Sequence, residues 1–185
     1  MELKTKRLIL RQATHRDIKD IVENINNINV SKWLLVVPYP YKVKDAKFWI
    51  NQQKKEAGNK ERDSYQFGIE LKSEKKIIGG IGLNKINKSH NTSTIGYWLG
   101  EKYWKKGYGS EALKGILDFS FKKLKLRRIE AGVLRENPAS GKLLEKYGFK
   151  LEGLRRKAVI CKADKRIEDE YIYGLLKEEY KPERI

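Results

Sequence analysis

YWKKGYGSEAL, residues Tyr103 to Leu113, sets two glycines one residue apart, with two lysines before them and a helix-forming run behind. Such a stretch lets the backbone approach an anion at a helix N-terminus, where free N–H groups and the macrodipole both favour negative charge. A Walker A loop is excluded, because neither GxxxxGKS nor GxxxxGKT occurs in the chain. The letters Gly107-Tyr108-Gly109-Ser110-Glu111-Ala112 do satisfy the dinucleotide fingerprint G-x-G-x-x-A, with Glu130 downstream. Their setting does not fit it: no βαβ pattern precedes them, Gly100 to Lys106 intervenes before the first glycine, and Glu130 begins its strand. Two readings remain, a pyrophosphate cradle reinforced by Lys105 and Lys106, or a tight turn flanked by solvated lysines.

Upstream, Arg7 to Arg11 alternates as a half-buried strand with Leu8 and Leu10 on one face. Thr14-His15-Arg16-Asp17 has the spacing of a capping box opening a helix through Ile18, Ile21, Val22 and Ile25. WLLVVPYPY, Trp33 to Tyr41, carries two prolines and reads as a loop, and Val43 to Lys55 resumes a helical pattern through Ala46, Phe48, Trp49 and Ile50. YQFGIEL, KIIGGIGL and TIGYWLG then read as an antiparallel meander. Behind the glycines, Leu113, Ile116, Leu117, Phe121 and Leu124 form one helical stripe. IEAGVL is the next strand, and Asn137, Pro138 and Gly148 bracket a short helix as N-cap, first residue and C-terminal stop. GFKLEG and IEDEYIYGLL supply two closing strands. The order β-α-α-β-β-β-α-β-α-β-β, without a repeat or linker, predicts one α+β domain over residues 1–185.

Composition bounds the function. With 185 residues, 39% hydrophobic and 35% charged, the chain suits a single soluble domain. No apolar run approaches the roughly 20 residues that span a bilayer, and MELKTKRLILRQ lacks the apolar core of a secretory signal, so a cytosolic location is expected. One cysteine, Cys161, excludes an internal disulfide, and His15 and His90 alone offer no metal cluster. The 41 Lys plus Arg against 24 Asp plus Glu leave a net charge of +17, which favours anionic partners such as RNA or a phosphorylated cofactor. Much of that lysine is scattered, and a solvated basic surface accounts for it equally.

In order and spacing, TKRLILRQAT, PYPYKVKDAKFWI, IGGIGL, IGYWLGEKYWKKGYGSEAL, RRIEAGVLRENPASGKLLEKYGFKLEG and DEYIYGLL resemble the GNAT (GCN5-related) N-acetyltransferases, in particular the RimJ/RimL-like branch. The resemblance covers nearly the whole chain. It implies a mixed, mostly antiparallel sheet with helices on both faces, splayed between the Tyr97-Trp98-Leu99 strand and Ile129 to Leu134. It implies acetyl-CoA as donor, with pantetheine paired along Tyr97, Trp98 and Leu99 and pyrophosphate on Lys105, Lys106, Gly107, Tyr108, Gly109 and Ser110. Trp104 stands where such loops often carry Gln or Arg.

Acetyl transfer to an amine needs a neutral nucleophile, a polarised thioester carbonyl and a proton for the thiolate. Backbone N–H groups near Trp98 and Leu99 suit the carbonyl. By resemblance to one branch, a Glu and a Tyr would fall at Gly132 and Leu144, which cannot move protons. By resemblance to the RimL branch, the Ser of N-x-x-S is an acid, preserved as Ser140 after Asn137, while its partner Glu falls at Val159. Ser140 is therefore a candidate acid or pantetheine contact, and Asn137 an N-cap or a coenzyme contact. Glu101 and Glu70 are candidate bases, and Tyr147 reads as core. An N-terminal amine is partly neutral near pH 8, so a strong base is not obligatory.

The acceptor is expected near Trp33, Tyr39, Tyr41 and Trp49, although aromatics at such spacing also build cores. By resemblance it is a protein N-terminal α-amine, with a ribosomal protein and ribosome or RNA contact in view. A polyamine or aminoglycoside would favour acidic clusters such as Glu168-Asp169-Glu170, and a non-catalytic RNA-binding module is the alternative from another class. Oligomeric state, monomer or homodimer, stays open.

Overall fold

The computed structural model describes residues 1–59 and 62–181. Its strands are β1 (Glu2–Lys4), β2 (Leu8–Arg11), β3 (Tyr65–Leu71), β4 (Lys76–Asn87), β5 (Thr92–Leu99), β6 (Arg128–Leu134), β7 (Lys150–Ile160) and β8 (Ile167–Leu176). The helices are α1 (Ile18–Ile25), α2 (Ile28–Ser31), α3 (Val43–Gly58), α4 (Tyr108–Asp118) and α5 (Pro138–Lys146). One eight-stranded sheet runs β1-β2-β3-β4-β5-β6-β8-β7. Every neighbouring pair is antiparallel except β5 and β6, whose parallel union is made by the α4 crossover.

That parallel pair decides the architecture. It joins only Thr92 to Arg128, Ser93 to Ile129 and Thr94 to Glu130, after which β5 runs on to Leu99 and β6 to Leu134 without pairing. The expected splay is therefore present. Each strand stays anchored on its outer flank, β5 by β4 and β6 by β8, so the gap is held open by complete ladders on both sides.

The period-2 alternation of the strands divides the apolar residues between two cores. Ile77 and Ile78, adjacent on β4, go to opposite ones. Leu8, Leu10, Ile95, Ile129, Val133 and Tyr173 pack with Leu113, Ile116 and Leu117 of α4 and Leu144 of α5. Ile77 packs on the other face with Ile21 and Ile25 of α1 and Ala46 and Ile50 of α3. Helices thus cover both faces. Among the described residues no helix is long and apolar enough to cross a membrane.

Local signals explain most boundaries. The Thr14 N–H and hydroxyl donate to Asp17 (2.7 and 3.0 Å), and Arg11 holds the same carboxylate (2.8 Å). Burial pushes the Asp17 carboxyl up, but the Arg11 and Thr14 hydrogen bonds outweigh it and hold the group below its usual range. Asn137 caps α5 by accepting from Ser140 N–H, and Gly148 turns the chain away at φ 89°.

The structure departs from the sequence reading in four places. β1 and the four-residue α2 were not expected. Phe48 is 66% exposed, because the buried face of α3 is Ala46, Ile50 and Gln53. β7 runs to Ile160 rather than ending near Gly153, since as an edge strand it is exposed almost throughout and its charged residues show no apolar alternation.

Candidate active site

The glycine stretch forms a bent platform at the head of α4. Trp104 Nε1–H donates to the Leu99 carbonyl (2.8 Å), fastening the loop to the end of β5. Lys105 at φ 59° and Gly107 at φ 79° are both left-handed, and the second also caps α4, a conformation that glycine adopts without steric cost. The first helical bond runs from Glu111 N–H to Gly107 O (3.0 Å), so the N–H groups of Tyr108, Gly109 and Ser110 precede the i→i−4 ladder. Three successive donors and the positive helix end make an anion cradle.

Arg7, about which the sequence gave no hint across a hundred residues, buttresses this cradle. Its guanidinium bonds Glu111 (2.7 Å) and the Lys106 carbonyl (3.0 Å) and lies 4.5 Å from the Tyr108 ring centre. Burial pushes the Glu111 carboxyl up, yet bonds from the Thr5 hydroxyl, the Arg7 N–H and the Arg7 guanidinium hold it below the ordinary range. Lys105 and Lys106 are exposed. Lys146 Nζ approaches Ser110 Oγ (3.1 Å), adding a third lysine. Tyr147 is core in its ring, as expected, but its hydroxyl also donates to the Ser110 carbonyl (2.6 Å), tying α5 to the platform.

At the splay, the side chains of β5 part to the two faces. Tyr97 and Leu99 turn toward α4 and α5, and Trp98 toward α1 and α3. The Tyr97 hydroxyl meets Ser140 Oγ at 2.8 Å. Burial pushes the Tyr97 phenol up to about 12, with the Ser140 bond pulling partly back. Asn137 Oδ1 accepts from Ser140 N–H (3.3 Å), so the cap also orients the serine. From the sequence, Tyr97 stands out only for its backbone.

On the α1 and α3 face, Trp33 is half-buried between Lys32 (4.9 Å) and Arg166 (5.9 Å). The Leu35 carbonyl accepts from Lys162 N–H (3.0 Å) and the Lys32 carbonyl from Arg166 (3.2 Å), pinning this loop to the β7–β8 turn. Tyr39 is 44% exposed. Tyr41, unlike Tyr39, is buried, its ring in the core with Ile25, Ala46 and Ile50. Trp49 also packs on that core.

Neither nominated carboxylate joins Ser140. Glu101 is exposed and accepts from Asn27 (2.5 Å) and Asn29 (3.1 Å), tying the turn after β5 to α2 on the sheet face opposite α5. Glu70 is bound to Arg11 (2.5 Å) on β3, two strands from the splay. Leu144, fully buried, is core.

A parallel pair parted beside an anion cradle is the architecture of an acyl-coenzyme transferase, and residues 7–150 match the acetyltransferase (GNAT) domain model. The chain belongs to the GNAT acetyltransferase family and is an acetyl-CoA-dependent N-acetyltransferase. It is 35% identical over 180 residues to a Bacillus licheniformis protein named uncharacterized N-acetyltransferase p20, covering 96% of this chain and 97% of the other. It is 34% identical over 85 residues, 46% of this chain and 48% of the other, to the Escherichia coli ribosomal-protein-serine acetyltransferase. The crystal structure of a GNAT-family acetyltransferase from Bacillus anthracis superposes with a TM-score of 0.82 at 30% identity, covering 97% and 100% of the two chains.

Proposed function

We propose that the acceptor is the α-amine of a protein N-terminus, with ribosomal proteins as the first class to test, acetylated by direct attack in a ternary complex. One observation carries this reading: the acidic cluster that a polycationic acceptor would need is already paired with arginines, with the Oε1 of Glu170 left outside those pairs. Asp164 and Glu168 pair with Arg166 and Asp169 with Arg135 (3.1 Å), while Glu170 is held by Arg155 through Oε2 alone. A polyamine would have to displace several arginines, whereas a single ammonium needs only one carboxylate. The similarity to a ribosomal-protein-serine acetyltransferase supports the same acceptor class.

The cradle fits acetyl-CoA on its own geometry. N–H groups of Tyr108, Gly109 and Ser110, reinforced by Lys105, Lys106 and Lys146, hold the pyrophosphate, and the unpaired edge from Tyr97 through Trp98 to Leu99 holds the pantetheine beside Asn137 and Ser140. Bound there, acetyl-CoA supplies the acetyl thioester. Backbone N–H groups near Trp98 and Leu99 polarise its carbonyl. Tyr97, protonated at neutral pH, donates a hydrogen bond to the departing sulfur, with Ser140 fixing its hydroxyl.

Thiol release from acetyl-CoA with Ser-, Ala- and Thr-led peptides, spermidine and kanamycin tests the reading. Peptide-dependent release with the label on the α-amine is expected. Faster turnover of spermidine or kanamycin than of every peptide overturns it.

A further inference from the structure

Gly132 lies on β6 two residues past the last β5–β6 pair, within the splayed segment. Its missing side chain leaves a space that is already taken. A Cβ placed there would overlap Glu170 Oε1 and sit 2.8 Å from Glu170 Cδ, so the carboxylate of the neighbouring strand lies directly over the β6 backbone. Glu170 is 5% exposed, a depth at which a carboxylate is rarely found without a task or a full set of partners. Its Oε2 is held by Arg155, whose own side chain is 58% exposed.

Strand alternation sets the face. Tyr171, Tyr173 and Leu175 of β8 pack toward α4 and α5, which turns Glu170 to the opposite side, the face on which Trp98 packs with α1 and α3. The splay is thus flanked by the Tyr97–Ser140 hydroxyl pair on one face and by a carboxylate on the other. We propose that Glu170 is the general base, reaching across from β8 over Gly132 to receive the acceptor ammonium. The assignment rests on amine acetylation by this chain, and not on which amine is used.

Glu170 Oε1 takes one proton from the ammonium, directly or through a water. The freed lone pair forms the C–N bond as the thioester C–S bond breaks, and the second amine proton is lost to solvent. The sulfur departs as thiolate, hydrogen-bonded to Tyr97, and is protonated from water, while Glu170 returns its proton to solvent. Charge and protons balance without a further reactant.

The test uses the panel amine that the wild type turns over fastest, with kcat/KM followed from about pH 6 to about 9.5 for wild type, Glu170→Gln, Gly132→Ala and Arg155→Gln, and acetyl-CoA affinity measured for each. Glu170→Gln is expected to lose on the order of a hundredfold near neutral pH with acetyl-CoA affinity unchanged. That deficit should narrow as the pH passes about 8, where an α-amine is neutral without help. Gly132→Ala, which pushes the carboxylate aside without removing it, should lose rate in the same direction, and Arg155→Gln should retain most of it. A deficit in Glu170→Gln that is equal at every pH, and matched by Arg155→Gln, identifies a structural clamp on the β7–β8 hairpin and overturns the proposal. Full activity in a folded Glu170→Gln overturns it also. A wild type that releases thiol with no amine of the panel overturns the acceptor class proposed above, whereas a deficit confined to Glu170→Gln bears on Glu170 alone.

Discussion

Replacing Gly109 by Glu separates binding from folding by the sign of its two effects. A Cβ at this position meets only Leu99 Cδ1 at 3.4 Å and Leu143 Cδ2 at 3.5 Å, ordinary contact distances, so the first carbon of a side chain is accommodated without displacing backbone. Gly109 is the second residue of α4, where a carboxylate faces the positive end of the helix and stabilises it by about 0.3–1 kcal/mol. Losing a helical glycine adds about as much again. The folded protein should therefore melt at the same temperature or higher. Toward a bound pyrophosphate the sign reverses: like charges roughly 5 Å apart near a protein surface repel by about 3 kcal/mol at an effective dielectric of 20, less where water reaches them. A net penalty of about 2–3 kcal/mol corresponds to roughly 30- to 150-fold in the acetyl-CoA Kd. Calorimetric titration and thermal melting of the same samples give both numbers, and added salt should recover part of the lost affinity while Gly109→Ala shows no electrostatic component. A folded Gly109→Glu that binds acetyl-CoA as tightly as the wild type would refute the cradle.

Tyr97→Phe removes the hydroxyl that meets Ser140, and should lower kcat about tenfold to a hundredfold while the acetyl-CoA Kd stays within about twofold; Ser140→Ala should add little in the double variant, because the two act as one unit. Trp104→Phe deletes the donor to the Leu99 carbonyl, worth about 1 kcal/mol, and should weaken acetyl-CoA about fivefold by equilibrium titration. Glu111→Gln should reduce unfolding free energy by about 1.5–3 kcal/mol at neutral pH, since the carboxylate accepts from Thr5 and twice from Arg7. The folded Glu111 carboxyl titrates below its ordinary 4.5, so its contribution is complete above that value and disappears as the pH falls through the lower folded one. Urea denaturation curves of wild type and Glu111→Gln should accordingly stay apart at neutral pH and converge in acid; curves separated equally at all pH values would count against the charge of Glu111.

Local chemistry made the cofactor half of the site legible. The left-handed turn at Gly107, the Asn137 cap and the Gly148 stop are backbone requirements that only a few residue types meet, so they show in the letters themselves. The acceptor half was far less legible. Tyr41 and Tyr39 sit two residues apart in one loop, yet the first is core and the second exposed, a division made by α3 packing and not by residue type. Glu101 beside the motif and Glu70 on a strand were reasonable carboxylates to nominate, and pairing with Asn27, Asn29 and Arg11 accounts for them otherwise.

By itself the sequence determined what depends on neighbours along the chain: the strand and helix periods, the caps, the glycine platform and, from their order, the GNAT fold. Tertiary structure alone decided what depends on contacts between segments distant in the chain. It brought Arg7 of the N-terminal segment under a loop one hundred residues on, set Tyr97 against Ser140 across the splay, and laid Glu170 over the backbone of Gly132. A one-residue slip of β8 against β6 would turn Glu170 to the opposite face, and a slip of β5 would do the same to Tyr97, so those roles reside in the register and not in the letters.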